Sequence, residues 1–445
     1  MGEYNNELIE FPKDWNVRRL NEIAELQRGL SYSSKEKSKD ENPDGYLFLT
    51  LDSIKEGGGL KEDGWTWIKS DRLKERHFVK EGDIVIANTD IGMQRGHILG
   101  APAIVHFPEW YKKDKAVFSH HISKLLLKVN NLDINFLFYY LSFVQPLARK
   151  YHTGTGVWGL NVDSWAKELL IPIPPLEEQK KIAEILNTLD SIIIDTKNLI
   201  EKLKLLKEKT LNLLITGKIW HKEFKDTEIG RIPGEWKIVK LEEITTKIAD
   251  IDHKMPKKQK NGMPFVSIKC MLKYPDLNFY LDLNDPDLEF ISKEDYEYYA
   301  RRFNVEKGDI IYSRFGSIGQ AKLVTTEQPF IASYSIVLIK PYTHKVNSAF
   351  LTYILNSEVV IKQAKIATKG SANKNLHLRD IKNLKIPLPP LEEQKKIVEI
   401  LTTIDNKIET ETKYLDYMKK LKEKLLSALM TGKIRVNSIA IGNLK

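Results

Sequence analysis

The chain has 445 residues, more than one hydrophobic core usually organises, so two domains of ordinary size are expected. Hydrophobic residues make up 42% of it, which excludes wholesale disorder, and its single cysteine excludes an intramolecular disulfide and any zinc site built on cysteine pairs. A formal net charge of +9 makes nucleic acid the first partner class to test. Charge alone is a weak signal, because many lysine-rich proteins are merely soluble.

The sequence shows neither a secretory signal nor a membrane span. Residues 1–13 are polar and acidic, without the basic stretch and apolar run of a signal peptide, so a cytoplasmic location is expected. The densest apolar run, Phe136–Val144, is far shorter than the ~20 residues that cross a bilayer. It predicts a buried helix.

Short apolar runs separated by turn residues predict strands in both halves of the chain. They lie at Tyr46–Thr50, Ile84–Ala87 and Ala101–Val105, and again at Ile310–Tyr312 and Ser335–Lys340. A helical stretch follows the strands each time. We therefore expect two mixed α/β domains in an α+β chain.

The chain repeats itself. Residues 171–186 (IPIPPLEEQKKIAEIL) return as 386–401 (IPLPPLEEQKKIVEIL), and 214–219 (LITGKI) return as 429–434 (LMTGKI). Looser matches in the same order join 11–20 with 232–241, 79–85 with 305–311, and 136–141 with 350–355. Chance does not produce such a series, so the chain is an internal duplication.

Each repeat ends in a predicted helix of about 40 residues. The paired prolines at 174–175 and 389–390 suit a helix entrance, the glutamates after them suit the helix dipole, and Thr-Gly at 216–217 and 431–432 supplies the stop. An apolar stripe of period 3.5 follows each helix and favours pairing of the two, although such a stripe is more often ordinary core. The predicted seam consists of Ile182, Ile185, Leu189, Ile192, Leu199, Leu203 and Leu206, with Ile397, Leu401, Ile404, Ile408, Leu415 and Met418.

Searches for catalytic motifs return nothing that the chemistry requires. The Pro-Pro pairs precede leucine in helix entrances, so they are not the strand end of an amino-methyltransferase, and Phe315–Gly319 is too short for a nucleotide loop. Gly217 and Lys218 lack the remainder of a phosphate-binding loop. His120 and His121 fall in a predicted strand with no metal-ligand spacing around them. No catalytic residue, metal site or cofactor is predicted.

Two variable regions, each followed by the Pro-Pro-Leu-Glu-Glu-Gln block and a long helix, resemble the specificity subunits of Type I restriction-modification enzymes. The resemblance runs from Pro12 to Gly432, and in the second half Gly308–Gly319, Lys369–Ser371 and Leu376–Ile381 follow the family's order. The first half departs from it, since Asn88 and Asp90 stand where the second has Arg314 and Gly316. Base contacts do not transfer from one half to the other.

The resemblance implies a non-catalytic subunit that recognises double-stranded DNA with a bipartite target. Each variable region would be a target-recognition domain, and antiparallel helices would separate the two. Modification subunits, expected as two copies, would hold S-adenosylmethionine and methylate adenine, and restriction subunits would join them. The expected boundaries are 1–174 and 220–388 for the domains, 175–219 and 389–434 for the helices, and 435–445 for a tail.

Two other functions stay open at this stage. One is a self-sufficient DNA methyltransferase or nuclease, which the missing cofactor and nuclease motifs oppose. The other is a scaffold unrelated to DNA that uses the coiled coil to join partners, which leaves two diverged basic domains unexplained.

Polar and basic residues on predicted loops are the candidates for DNA contact, because phosphate contacts position a protein and base-edge contacts specify the sequence. Arginine suits guanine, asparagine and glutamine suit adenine, and lysine suits phosphate. The basic run at 257–260 has a competing interpretation as a solvated charge run. The candidates are Asn88, Thr89, Gln94, Arg95, His97, Thr153, Thr155 and Asn161 in the first half, with Lys254, Lys257, Lys258, Gln259, Lys260, Ser313, Arg314, Lys369, Ser371, Asn373, Lys374 and His377 in the second.

Overall fold

The chain divides into two compact units, each assembled from two stretches of helix and one globular region. The computed structural model describes residues 10–61, 63–90, 97–251, 255–273, 277–368 and 375–436. The first unit comprises Met1–Asp195 and Leu415–Lys445, and the second comprises Thr196–Tyr414. Each long helix therefore gives its first half to one unit and its second half to the other.

The globular region of the first unit is built mainly from short strands. Its helices are α1 (Leu20–Ile23), α2 (Ile134–Val144), α3 (Val162–Glu168) and the long α4 (Leu176–Ile215). Its strands are β1 (Asn16–Arg19), β2 (Ala24–Arg28), β3 (Lys37–Ser38), β4 (Tyr46–Leu49), β5 (Thr66–Ile68), β6 (Phe78–Lys80), β7 (Ile84–Ala87), β8 (Thr89–Asp90), β9 (Pro102–Ile104), β10 (Lys115–Phe118), β11 (Ile122–Leu127), β12 (His152–Thr153), β13 (Trp158–Leu160) and β14 (Leu170–Ile173).

Two larger sheets of the first unit enclose its core. One has the order β3-β5-β4-β10-β6 and the other the order β2-β11-β7-β9, with the smaller sheets β12-β13-β8 and β1-β14 beside them. Leu47, Val85, Phe118 and Ile122 are fully buried in this core. These apolar strands are buried on both faces, which explains why they are continuous runs in the sequence rather than alternating ones.

The second unit repeats this plan with its own additions. Its helices are α5 (Ile268–Lys273), α6 (Lys293–Ala300), α7 (Ser348–Leu355), α8 (Glu358–Ala367), α9 (Leu378–Lys382) and the long α10 (Leu391–Met430). Its strands are β15 (Phe224–Thr227), β16 (Gly230–Pro233), β17 (Lys237–Lys240), β18 (Thr245–Ala249), β19 (Met263–Val266), β20 (Asn278–Phe279), β21 (Glu289–Ile291), β22 (Ile310–Ser313), β23 (Ala321–Val324), β24 (Ile331–Ala332), β25 (Ile336–Pro341) and β26 (Lys385–Leu388).

The strand order confirms the duplication. The order β18-β25-β22-β23 in the second unit reproduces β2-β11-β7-β9 in the first, and β17-β26 reproduces β1-β14. The second unit adds β20 at the edge of its sheet, and a separate sheet of order β21-β19-β24. The predicted strands at Ile84–Ala87 and Ile310–Tyr312 and the helix at Phe136–Val144 are confirmed, whereas His120 and His121 form a turn between β10 and β11 instead of a strand.

The glycines predicted to stop the long helices do so. Gly217 and Gly432 have φ angles of 66° and 67°, in the left-handed region that favours glycine. A Cβ on Gly217 would lie 2.1 Å from Cγ of Pro233, and one on Gly432 would lie 2.3 Å from Cγ of Pro12. Each helix therefore ends against the proline that opens a repeat, which requires both glycine's conformational freedom and its small size.

The long helices run antiparallel within each unit. In the first unit Lys422 near the end of α10 pairs with Asp190 in the first half of α4. In the second unit Lys207 near the end of α4 pairs with Asp405 in the first half of α10, at 2.5 Å. The lysine of each pair also lies over a tyrosine ring of its own unit, Tyr139 or Tyr353.

Burial is compatible with the predicted helix seam on α10 and contradicts part of it on α4. All six predicted residues of α10 are buried or half-buried. On α4 Ile182 and Leu189 are buried, and Ile185, Ile192 and Leu203 are half-buried. Leu199 and Leu206 are 38% and 50% exposed, so for these two the seam prediction is wrong. Ile182 and Leu189 are each followed three and four positions later by apolar residues, and the helix buries the later ones, Leu186 and Ile193. Ile200 is likewise buried beside the exposed Leu199.

None of the helices in the described ranges combines the length and the apolar character needed to cross a membrane.

Candidate nucleic-acid interface

Asn88 and Arg314 hold the same place in the two halves, directly after the equivalent strands β7 and β22. The Asn88 N–H donates to the carbonyl of His121, and its own carbonyl accepts from the N–H of Leu160, both at 2.7 Å. The Arg314 N–H donates to Ser335 at 2.9 Å, and its carbonyl accepts from Leu376 at 3.0 Å. The backbone frame is thus common to both halves although the side chains differ.

The Arg314 side chain is 4% exposed and holds two loops together. Its Nη1 donates to the Asp250 carboxylate, and its Nε and Nη2 both donate to Oδ1 of Asn375 at 3.3 Å. Asp250 follows β18, and Asn375 follows the predicted contact loop at 369–374, which lies outside the described residues. The neighbouring Ser313 is fully buried and donates to the carbonyl of Ser317 at 2.5 Å.

Asn88 is likewise buried, at 1% exposure, and its Nδ2 donates to Oγ of Ser123 at 2.8 Å. Its Oδ1 has no hydrogen-bond partner among the residues that the structure describes. Burial leaves Asn88, Ser313 and Arg314 unable to reach a base edge in this conformation. We therefore assign them to positioning the loops, a role the sequence could not indicate because the partners Ser123 and Asp250 are remote in the chain.

Other candidates of the first half lie at the surface. Thr153, Thr155 and Asn161 are exposed, and Asn161 also caps α3 by accepting from the N–H of Ser164 at 3.2 Å. His97 is half-buried, with its Nδ1 3.6 Å from a carboxylate oxygen of Glu56. Thr89 is half-buried and bonds His121, whereas Gln94 and Arg95 lie outside the described residues.

The basic run of the second half is exposed. Lys257, Lys258, Gln259 and Lys260 all face solvent, although Lys258 pairs with Glu289 at 2.6 Å. His377 is exposed at the start of α9. The predicted contacts Lys254, Lys369, Ser371, Asn373 and Lys374 fall outside the described part of the chain.

The repeated Glu-Glu-Gln sequence has a structural role that the sequence analysis missed. The indole N–H of Trp15 donates to Glu178 at 3.2 Å, and that of Trp236 donates to Glu393 at 3.1 Å. Gln179 accepts from the backbone N–H of Asp133 at 2.8 Å and donates to the carbonyl of Pro174 at 2.8 Å. The near-identical repetition of this block is the sequence feature that could have indicated this role, which is to fix the start of each long helix to its domain.

In each unit the glutamate is also contacted by a residue that follows the other long helix. Arg435 donates to both carboxylate oxygens of Glu178, at 2.7 and 2.9 Å, and to both of Asp14. Its guanidinium holds the pKa of Asp14 below the usual range. In the second unit His221 lies 2.8 Å from Glu393. The tail that follows one long helix thus meets the start of the other.

No group of three or more metal-ligating side chains occurs in the ranges that the structure covers.

A comparison with protein-family models identifies the family of the repeated domains. A model described as the Type I restriction modification DNA specificity domain matches residues 12–205 and again residues 233–419. The chain belongs to the Type I restriction-modification specificity subunits. Such a subunit is the non-catalytic, DNA-recognising member of its complex.

Relatives match along nearly the whole chain. The Type I restriction enzyme MjaVIII specificity subunit of Methanocaldococcus jannaschii is 30% identical over 439 residues, covering 97% of this chain and 95% of the relative. The Type I restriction enzyme EcoBI specificity subunit of Escherichia coli is 25% identical, covering 88% and 80%. Both halves and both helices of this specificity subunit thus fall within the shared region.

Solved structures share the fold. The S subunit of a Type I restriction-modification system from M. genitalium superposes with a TM-score of 0.55 at 18% identity, covering 93% of this chain and 96% of that one. A chain from a study of complex assembly and conformational transition in the type I R-M system gives 0.54 at 19% identity, covering 96% and 100%. High coverage at this low identity indicates a shared fold.

Proposed function

We propose that each unit recognises one half of a bipartite DNA target, while the paired helices set the gap between the halves and dock two methyltransferase subunits. The observation that carries this proposal is the shared backbone frame around Asn88 and Arg314, in which these two buried residues position loops of different sequence in the two units. A duplicated scaffold with two different surfaces suits two different base sequences, because base edges are distinguished by the donors and acceptors presented to them.

The charge of the chain supports a contact with the DNA backbone. The exposed Lys257 and Lys260 of the second unit are suited to phosphates, which attract cations whatever the sequence. Exposed polar side chains such as Thr153 and Thr155 in the first unit are suited to base edges. Phosphate contacts would fix the register of each unit, and the polar loops would supply the specificity.

The helices keep apolar surface outside their seam. In the second unit Leu205, Leu206 and Leu213 of α4 are 51%, 50% and 45% exposed. An exposed apolar strip along a helix is a docking surface for another helix or protein. We propose that methyltransferase subunits bind along such strips, that they bring S-adenosylmethionine, and that restriction subunits join the assembly in the cytoplasm.

The test compares the purified chain with the chain plus its modification subunit. Each is incubated with genomic DNA and S-adenosylmethionine, and adenine methylation is mapped at base resolution. The proposal predicts no methylation by the chain alone and methylation at one bipartite motif by the complex. Methylation by the chain alone at stoichiometric amounts, or methylation by the complex without a bipartite motif, would contradict it.

A further inference from the structure

A cleft in the first unit lies beside Thr89, a predicted DNA contact, and none of the candidate residues above lines it. It has a volume of about 520 Å³ and opens to solvent. Two lysines, two histidines and three hydroxyl-bearing residues line it, and among the described residues no carboxylate lies in the lining. The lining residues are Tyr32, Ser34, Lys37, Ser38, Lys39, His120 and His121.

Close backbone packing builds the wall of the cleft. A Cβ on Gly29 would lie 2.2 Å from the carbonyl oxygen of Phe118, so only glycine lets this segment approach the turn after β10. The Leu30 N–H then donates to Phe118 at 2.8 Å, and the His120 N–H donates to Leu30 at 2.9 Å. The Tyr32 ring packs edge-on against Phe48 at 4.8 Å, which fixes it beside His120.

His121 connects the cleft to Asn88 and Thr89. Its Nδ1 lies 2.9 Å from Oγ1 of Thr89, and its carbonyl accepts from the N–H of Asn88. Burial, and then the neighbouring His120, lower the pKa of His121, so its ring is neutral near pH 7. A neutral imidazole has one donor and one acceptor nitrogen. With Nδ1 engaged by Thr89, Nε2 remains for a ligand.

The same turn in the second unit carries other side chains on the same backbone. Tyr334 and Ser335 stand where the first unit has His120 and His121, and Ser335 accepts from Arg314 as His121 does from Asn88. The Tyr334 ring packs edge-on against Phe315 at 5.4 Å. His120 and His121 are half-buried, unlike the buried Asn88, so this divergence on a retained frame lies where a ligand can reach it.

We propose that this cleft is a DNA-contact site of the first unit, in which Lys37 and Lys39 bind phosphates and the His120–His121 turn contacts base edges next to Thr89. The inference rests on the proposed function and extends it to specific residues. Lys37 lies 3.7 Å from an oxygen of the exposed Asp52, a pair weak enough for a phosphate to displace. Lys39 forms no ion pair with any residue in the described ranges.

The test measures binding of the full chain, with its modification subunits, to labelled duplexes. One duplex carries the mapped target, others change single base pairs in either half, and one carries neither half. Removing both cleft lysines (K37A/K39A) should weaken binding to every duplex and lower the salt slope by about two. His121→Ala and His121→Asn should each reduce discrimination about tenfold at one or two base pairs of a single half.

Matched controls lie at the far end of the same sheet. Lys128 is exposed just after β11, about 20 Å from His121 by strand rise, and His106 is exposed beside Glu81 before β7. Lys128→Ala should leave the salt slope within about one of the native value, and His106→Ala should leave discrimination intact. Unchanged discrimination at the other base pairs of the same half reports that the first unit of a His121 variant is folded.

Variants of the cleft that bind every duplex as the native complex does would overturn this inference while leaving the proposed function standing. Equal loss of discrimination in both halves would also overturn it, because it would show a general structural effect. A native complex that does not discriminate between the duplexes would contradict the proposed function itself, and the inference with it.

Discussion

Glu178 and Glu393 occupy equivalent positions in the two halves, and each accepts a hydrogen bond from the indole of the tryptophan that opens its own repeat. Each is also contacted by the tail of the opposite helix, through Arg435 or His221. Three repeated motifs, the opening tryptophan, the Glu-Glu-Gln block and the helix stop, therefore meet at one place in each unit. This set of contacts, called the lock below, explains why the three motifs are repeated together.

Replacing Glu178 with alanine should destabilise the first unit by about 2–3 kcal/mol, because it leaves a buried indole N–H without its acceptor and Arg435 with one partner fewer. The exposed neighbour Glu177, which pairs with Lys180, is the matched control. Glu177→Ala should change the free energy of unfolding by less than about 1 kcal/mol. Urea unfolding of the two variants measures the difference, and equal losses would show that the lock does not stabilise the unit.

Adjacent residues of α4 test which face forms the seam. Ile200 is 6% exposed and Leu199 is 38% exposed, both in the second unit. Ile200→Ala should cost about 2–4 kcal/mol, whereas Leu199→Ala should cost about 1 kcal/mol or less. The midpoint of urea unfolding of the isolated chain provides the comparison. A larger loss of stability for Leu199→Ala than for Ile200→Ala would support the seam predicted from the sequence instead.

Arg314 distinguishes a positioning role from a base contact. If it positions the loops through Asp250, then Arg314→Ala, Asp250→Ala and the double variant should weaken binding to the target by similar amounts, because all three break the same Arg314–Asp250 ion pair. A direct contact with guanine predicts instead that Arg314→Ala alone costs about 1–3 kcal/mol at one base position, with Asp250→Ala nearly silent. Binding to a set of single-base variants of the target decides between them.

Lys257 lies in the same unit as Arg314 but is exposed, so it tests a phosphate contact instead of a positioning role. Lys257→Ala should weaken binding to all sequences alike and lower the salt slope by about one. A loss confined to one base position would move Lys257 from phosphate contact to base contact.

The sequence allowed the duplication, the long helices and their stops to be predicted, because repetition and period are properties of the residue order itself. The antiparallel arrangement of the helices was implied by the family resemblance. It did not reveal the partners of Arg314 or the cleft at His121, because those contacts join segments remote in sequence whose approach depends on close packing at positions such as Gly29. The seam on α4 was misjudged at Leu199 because Ile200 beside it is equally apolar. Only the surface beneath the helix decides which of the two is buried.

The helices can be tested as a ruler. A helix rises about 1.5 Å per residue and stacked base pairs about 3.4 Å, so four residues added to each helix correspond to roughly 6 Å, or one to two base pairs. Four residues are a little more than one turn, so the apolar seam is nearly kept. Insertion of four residues after Leu199 and four after Tyr414 should lengthen the gap between the half-sites and leave both half-sites unchanged. Methylation at an unchanged gap would contradict the ruler.

The most direct test of two independent recognition units is an exchange of the first one. Residues 14–170 are replaced by the corresponding region of another specificity subunit, the chimera is combined with the native modification subunit, and adenine methylation is mapped at base resolution. We predict a new sequence in one half of the target, with the other half unchanged. A target altered in both halves, or in neither, would contradict the assignment of one half-site to each unit.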